Sequence, residues 1–320
     1  MSAPEVEATL AFLRAEAAAI ASLDERDLEA EERRALSAEL TEAVWRDHSE
    51  AGPEVARVWD TTIPVPDAPD LRTRLYHPPS SADGATPSVH VHVHGGGWWQ
   101  GSIDQWIVDV QARERCVFGN SVVVSIDYRK APEWPFPAAI LDVCAAVEWA
   151  AANATSLGAS DRLTVSGVSA GANLVLAASL LARDRGGPDA AHQILEATPV
   201  DLRFGEPTGW NVPADDAGEI GVLMQHYLPT PDDALNPLAS PLLAPVLSGL
   251  PPTTLFIGDR DIFHAGTLAF ADRMRAAGGD VTVLEFAHFL HHTPALTATI
   301  PAARAWREQV ARLIRGEAPA

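Results

Sequence analysis

The run Gly167-Val168-Ser169-Ala170-Gly171 constrains the fold of this chain more than any other stretch. It fits G-x-S-x-G, a pattern in which serine sits on a sharp turn between a strand and a helix. Such a turn crowds the backbone, and a Cβ at either flank would clash, so both ends are glycine. The neighbours agree. Arg162-Leu163-Thr164-Val165-Ser166 reads as a short buried strand, and Ala172–Leu181 reads as a helix.

The rest of the chain has the same rhythm. From about Ala56, β-like runs recur near 56–63, 71–77, 88–94, 121–126, 162–167, 193–199, 253–258 and 281–286. From the third onward they are mostly continuous apolar runs, as strands buried on both faces should be. Helical stretches such as Ala138–Ala152 and Thr267–Ala277 fall between them. This alternation predicts an α/β fold with a mostly parallel, eight-stranded sheet flanked by helices. The first two strands have no helix between them, so an antiparallel pair should open the sheet. Two segments stand apart. Residues 1–50 are helical in character, with Val6, Leu10, Leu13, Ala17 and Ile20 on one stripe and a second helix from about Glu29 to Trp45. Asp201–Pro252 is long, rich in Pro, Asp and Gly, and holds one good helical run, Glu219–Tyr227. A connection of that length inside a compact domain is usually functional, as a lid is. The expected division is a helical cap over 1–50 and a catalytic domain over 51–320, with a cap insertion at about 201–252.

Composition removes several function classes. The formal net charge is -20, which repels nucleic acid and anionic membrane surfaces. No run approaches ~20 apolar residues, so no membrane span is expected. The first residues lack a basic start followed by an apolar run, so no signal peptide is expected, and a cytoplasmic enzyme is the default. Cys116 and Cys144 give no disulfide framework and read as buried small hydrophobes. His90, His92 and His94 alternate along one strand and share a face. Two such histidines can bind zinc, but no carboxylate or cysteine stands ready to complete a site, so neither metal nor cofactor is expected. Arg113-Glu114-Arg115 and Arg304–Arg315 read as solvated helix faces.

A serine at neutral pH is a poor nucleophile and needs a general base, an orienting acid and donors for the oxyanion. In an elbow of this type, the acid and then the base follow the serine, each at the end of a later strand. After Thr253–Gly258 come Asp259, Arg260 and Asp261. After Val281–Phe286 come Ala287-His288-Phe289-Leu290-His291-His292. Acid and base therefore lie among two aspartates and three histidines. The oxyanion donors should be the Ala170 N–H and a glycine loop from earlier in the chain, for which His94-Gly95-Gly96-Gly97 stands ready.

With these parts in place, the chain resembles the hormone-sensitive-lipase-like carboxylesterases of the α/β-hydrolase fold, from roughly residue 70 onward. Four stretches carry the resemblance: His94-Gly95-Gly96-Gly97-Trp98 with Gly101-Ser102; Asp127-Tyr128-Arg129-Lys130-Ala131-Pro132-Glu133 with Phe136-Pro137-Ala138-Ala139; Gly167–Gly171 with Asn173; and Ser240-Pro241-Leu242 before Asp261 and His291. The resemblance implies Ser169 as nucleophile, Asp261 as acid and His291 as base. It implies oxyanion N–H groups from Gly96, Gly97 and Ala170, with Gly95 bending the loop and His94 holding it. Asp259 would then shape its turn. Two departures touch the elbow: the family usually has Asp or Thr where Val168 stands, and often glycine where Ala172 stands. A third is Ile262-Phe263-His264 after the acid, without the second acid many members carry. The implied activity is hydrolysis of short- to medium-chain carboxylic esters through an acyl-enzyme, by a monomer or homodimer acting on a small-molecule ester. Trp98, Trp99, Trp210, Met224 and Tyr227 are the candidate pocket walls, with Trp106 nearby in sequence. Amide, formamide or carbamate hydrolysis would use the same triad, as would an elimination. A non-catalytic ligand-binding protein on this fold would lack the catalytic histidine.

Overall fold

The computed structural model describes residues 3–23, 26–81, 84–203 and 226–319. Eight strands form one sheet: β1 (Arg57–Ile63), β2 (Leu71–His77), β3 (Ser88–Val93), β4 (Ser121–Ile126), β5 (Leu163–Val168), β6 (His192–Glu196), β7 (Thr253–Gly258) and β8 (Val281–Phe286). Their spatial order is β1-β2-β4-β3-β5-β6-β7-β8. β2 runs antiparallel to both its neighbours, and every other pairing is parallel. The eight expected strands are all present. β6 stops at Glu196, short of the expected 199, because Ala197 turns out of the strand at φ 51°.

Among the described residues seven α-helices surround the sheet: α1 (Ala3–Ile20), α2 (Ala30–His48), α3 (Trp106–Phe118), α4 (Ala138–Asn153), α5 (Ala170–Arg185), α6 (His264–Ala276) and α7 (Pro301–Arg315). The two faces of the sheet differ in chemistry. Val89, Val91, Val93, Val122, Val124, Ile126, Leu163, Val165, Leu195, Leu255 and Ile257 share one face and form a single apolar core with α4, α5 and α6. The opposite face meets α3 and α7 through two smaller apolar clusters, one around Trp306 and Phe256, the other around Tyr76 and Cys116. Between those clusters lies a polar strip: His90, His92, Ser166 and Arg115, all buried.

The strip accounts for the alternating histidines. His90 bonds Thr164 Oγ1 and Ser166 Oγ, each at 2.8 Å, across to β5. Arg115 donates to Ser166 Oγ at 3.2 Å and forms an ion pair with Glu196 of β6. Trp306 Nε1 donates to the other Glu196 oxygen at 2.7 Å. The reading of Arg113–Arg115 as a solvated face therefore fails at Arg115, which is 2 % exposed. It fails likewise at Arg307 in α7, which pairs with Glu114 at 2.9 Å and is 8 % exposed. Cys116 is buried and Cys144 half-buried, and burial pushes their thiols up to about 12 and about 11.

α1 and α2 lie outside the sheet, packed on each other and on the segment that follows β8. Among the described residues no helix is long and apolar enough to cross a membrane. Most of the run Glu219–Tyr227 lies outside the described residues.

Candidate active site

Ser169 occupies the turn between β5 and α5 with φ 53° and ψ -121°, a conformation a non-glycine residue rarely adopts. Two close approaches hold the turn. A Cβ on Gly171 would stand 2.3 Å from the Val93 carbonyl oxygen and 2.4 Å from that of His94, so α5 starts in direct contact with the end of β3. A Cβ on Gly167 would stand 2.3 Å from the Gly171 carbonyl oxygen. The Ser169 N–H donates to the Glu196 carbonyl at 2.8 Å, which ties the elbow to β6.

The sheet then delivers three side chains to one line. Ser169 Oγ–H donates to His291 Nε2 at 2.9 Å, and His291 Nδ1–H donates to Asp261 Oδ2 at 2.9 Å. The other Asp261 oxygen accepts the Phe263 N–H at 2.9 Å, so the carboxylate cannot swing. Phe263 also stands edge-on to the His291 ring at 5.1 Å. Burial works to lower the His291 pKa, but the charge and hydrogen bond of Asp261 outweigh it and raise the pKa above its ordinary value. Asp259 instead accepts the His288 N–H at 2.5 Å, shaping the turn at which His288 takes φ 65°. The His292 ring lies against Phe12 and Trp45.

The glycine loop follows β3 and wraps toward the serine. Gly96 has φ 127°, and a Cβ there would meet the Gln100 carbonyl oxygen at 2.3 Å, so only glycine fits. Gly95 passes so close to the elbow that a Cβ on it would lie 3.5 Å from the Ser169 Cβ. Ala170 is the first residue of α5, so its N–H has no acceptor within the helix and sits at the positive end of the helix dipole. His94 Nδ1–H donates to the Gly95 carbonyl at 2.7 Å, and its ring stacks on Tyr128 at 4.4 Å. His94 Nε2 stands 3.8 Å from Asp127, which Lys130 also holds. In the same stretch Arg129 grips Asp142 of α4, and Glu133 pairs with Arg34 of α2 at 2.7 Å.

The expected pocket walls divide. Trp98 is 1 % exposed, donates to Asn173 Oδ1 at 3.3 Å and stacks on Tyr227 at 4.6 Å. Tyr227 is also 1 % exposed and meets Phe136 edge-on. Both are interior packing, which corrects their reading as pocket walls. Asn173 completes that packing by donating to the carbonyls of Pro199 and Ala239. Trp99 is half-buried and stacks on His226 at 5.8 Å. Trp210 and Met224 lie outside the described residues. Trp106 lies beside α2, under the Arg46 guanidinium, and lines a separate cleft of about 760 Å³ that none of Ser169, Asp261 and His291 lines. Among the described residues no group of three or more His, Cys, Asp or Glu is placed to hold a metal ion.

Comparison with known proteins agrees with this architecture. Residues 90–294 match a family described by the alpha/beta hydrolase fold. The chain is 34% identical to carboxylesterase NlhH of Mycobacterium tuberculosis over 254 residues, 77% of this chain and 78% of the relative. It is 31% identical to an ethyl acetate hydrolase of Pseudomonas putida over 229 residues, 68% of this chain and 70% of the relative. Its fold matches a Pyrobaculum calidifontis esterase with a TM-score of 0.79 at 30% identity, covering 92% of this chain and 95% of the other. The chain belongs to the hormone-sensitive-lipase-like carboxylesterases of the α/β-hydrolase fold and is a carboxylic ester hydrolase.

Proposed function

We propose that this enzyme hydrolyses short- to medium-chain esters through an acyl-enzyme on Ser169. The observation that carries the reading is the unbroken line from Ser169 Oγ through His291 to Asp261, with 2.9 Å at each step. Ser169 Oγ attacks the ester carbonyl carbon while His291 Nε2 takes its proton. Asp261 holds the imidazole tautomer and stabilises the imidazolium. The N–H groups of Gly96, Gly97 and Ala170 receive the oxyanion of the tetrahedral intermediate, each donor contributing about 3 kcal/mol. His291 then protonates the leaving alcohol as the intermediate collapses to the acyl-enzyme. Water, deprotonated by the same histidine, attacks the acyl carbon, and Ser169 leaves with its proton restored.

Two observations support the short acyl range. A relative is an ethyl acetate hydrolase, and Trp99 is the bulky side chain beside the glycine loop that is not fully packed away. The remaining walls on this reading are Trp210 and Met224, with the N-terminal helices and the 201–252 segment capping the cleft. The same reading has the enzyme act in the cytoplasm as a monomer or homodimer.

p-Nitrophenyl esters from C2 to C16 test the proposal. Turnover should peak at or below about C8, and Ser169→Ala should lower kcat by about 10⁶-fold. A correctly folded Ser169→Ala enzyme with wild-type turnover would refute the mechanism. Activity rising steadily to C16 would refute the acyl range. A panel of anilides and formamides reads the ester preference directly.

A further inference from the structure

The loop that carries His291 is held from outside the sheet. β8 ends at Phe286 on the sheet's edge, and His291 lies five residues beyond it. The segment after His291 forms only one short 3-10 turn, Thr293–Ala295, before α7. Much of its support comes from the first two helices. Thr9 of α1 meets Thr293 hydroxyl to hydroxyl at 3.3 Å in a buried contact, and Thr293 Oγ1 accepts the Leu290 N–H at 3.0 Å. At the end of α2, the His48 carbonyl accepts the Ala298 N–H at 3.0 Å. Ser49 Oγ–H donates to the Ala295 carbonyl at 2.5 Å, and the Glu50 N–H donates to Thr297 Oγ1 at 2.9 Å.

The rings carry the contact to the base itself. His292 stands perpendicular to His291 with 5.3 Å between ring centroids. It packs against Phe12 at 6.0 Å and Trp45 at 6.2 Å, and those two rings meet each other at 4.6 Å. Phe12 is fully buried. His291 is thus flanked by Phe263 and by His292, and His292 is backed by one residue from each of the two helices.

We propose that α1 and α2 brace the general base, with His292 as the positioning residue that transmits the brace to the His291 imidazole. The proposal rests on the reading of His291 as base. Three considerations favour it over a simple covering role. A misplacement of about 1 Å at a reacting group costs about 100-fold in rate, and a side chain on a loop is held less precisely than one on a helix or strand, here only as far as the β7 turn pins it at Phe289 and His288. Val168 offers no polar side chain beside the elbow, so any support of that kind must come from elsewhere. His292 also stays uncharged beside the imidazolium, because burial and then the neighbouring His291 push its pKa down to about 3.

A lid governs access and moves KM, whereas a brace governs alignment and moves kcat. The test compares His292→Ala and Phe12→Ala with the intact chain on p-nitrophenyl butyrate, with kcat normalised to sites titrated by a fluorophosphonate. Each should lower kcat by about 10- to 100-fold with KM within about twofold. The double variant should be no worse than the poorer single, because both remove one brace. His292→Phe should restore most of the loss by refilling the ring's place. Leu10→Ala, exposed on the same helix, should leave kcat unchanged. Unchanged kcat with raised KM in His292→Ala would overturn the brace and leave the helices as a lid. Additive losses, or no rescue by His292→Phe, would overturn it as well. Should Phe12→Ala fail to fold, His292→Ala and His292→Phe decide the matter. An intact chain that neither hydrolyses the ester nor reacts at Ser169 would instead bring down the underlying reading of the triad.

Discussion

Asp261 is fixed by both its oxygens, one on His291 Nδ1 and one on the Phe263 N–H. An amide in its place would let the imidazole take the other tautomer, whose Nε2 carries hydrogen and cannot accept the serine proton. Asp261→Asn should therefore lower kcat by about 10⁴-fold. It should also move the acid limb of kcat/KM. In the wild type that limb should lie above the ordinary histidine range, because Asp261 more than offsets the burial of His291. Without the carboxylate charge, the limb should fall to lower pH, and a pH–rate profile unchanged in position would contradict this account of the base. The serine and the glycines were legible in the sequence because backbone geometry admits little else at those positions, as the contacts of Gly167, Gly171 and Gly96 show. Asp261 and His291 were not separable by chemistry from Asp259, His288 and His292, since loop residues a few positions apart differ only in where the chain turns. The resemblance to a family had to choose. Trp98 misled for a related reason: at φ 64° the chain turns there, and the indole goes inward to Asn173. Adjacency to a motif does not say on which side of the turn a ring falls.

The elements were more legible than the contacts between them. Apolar runs such as Val122–Val124 and Leu255–Ile257 marked buried strands, and the missing helix between the first two marked the antiparallel start. The pattern could not show that α3 and α7 press charged side chains into the sheet. An arginine in a helix gives the same sequence signal whether solvated or buried, and Glu196 sits in a strand far from it in the chain. The Arg115–Glu196 pair spans α3 and β6, directly behind the carbonyl that accepts the Ser169 N–H. Arg115→Met would leave a buried carboxylate without its cation, at a cost of about 3–5 kcal/mol. Adding Glu196→Gln should recover most of that loss, because the amide still accepts from Trp306 and carries no charge. Urea unfolding of the two variants checks the pair. A double variant as unstable as the single would mean that packing, not charge, sets the cost.

Across the whole molecule, buried histidines make stability depend on pH. His90, His92 and His94 are fully buried, and burial, the largest cause in each, lowers their pKa values. Below about 6.5 the unfolded chain protonates these histidines, whereas the folded chain keeps His90 and His92 neutral and protonates His94 only at a lower pH than the free side chain. Their contribution is therefore present above pH 6.5 and is lost as pH falls, at about 1.4 kcal/mol per histidine per pH unit. His291 has the opposite sign: its raised pKa adds stability below 6.5 that is lost as pH rises through the folded value, and it offsets part of the effect. With a total stability of about 5–15 kcal/mol, the urea midpoint should drop measurably between pH 7 and pH 5, before most carboxylates titrate. A midpoint flat over that interval would refute the account, and His90→Gln should flatten it in part. The contact of Thr9 with Thr293 spans 284 positions, so a ribosome adding about 5–20 residues per second leaves α1 without its docking partner for roughly 15–60 seconds. The catalytic loop is translated long after the helix that meets it. His291 follows Ser169 by 122 positions, so a nascent chain carries a finished elbow and glycine loop while its base is still unmade, and spares the cell's esters.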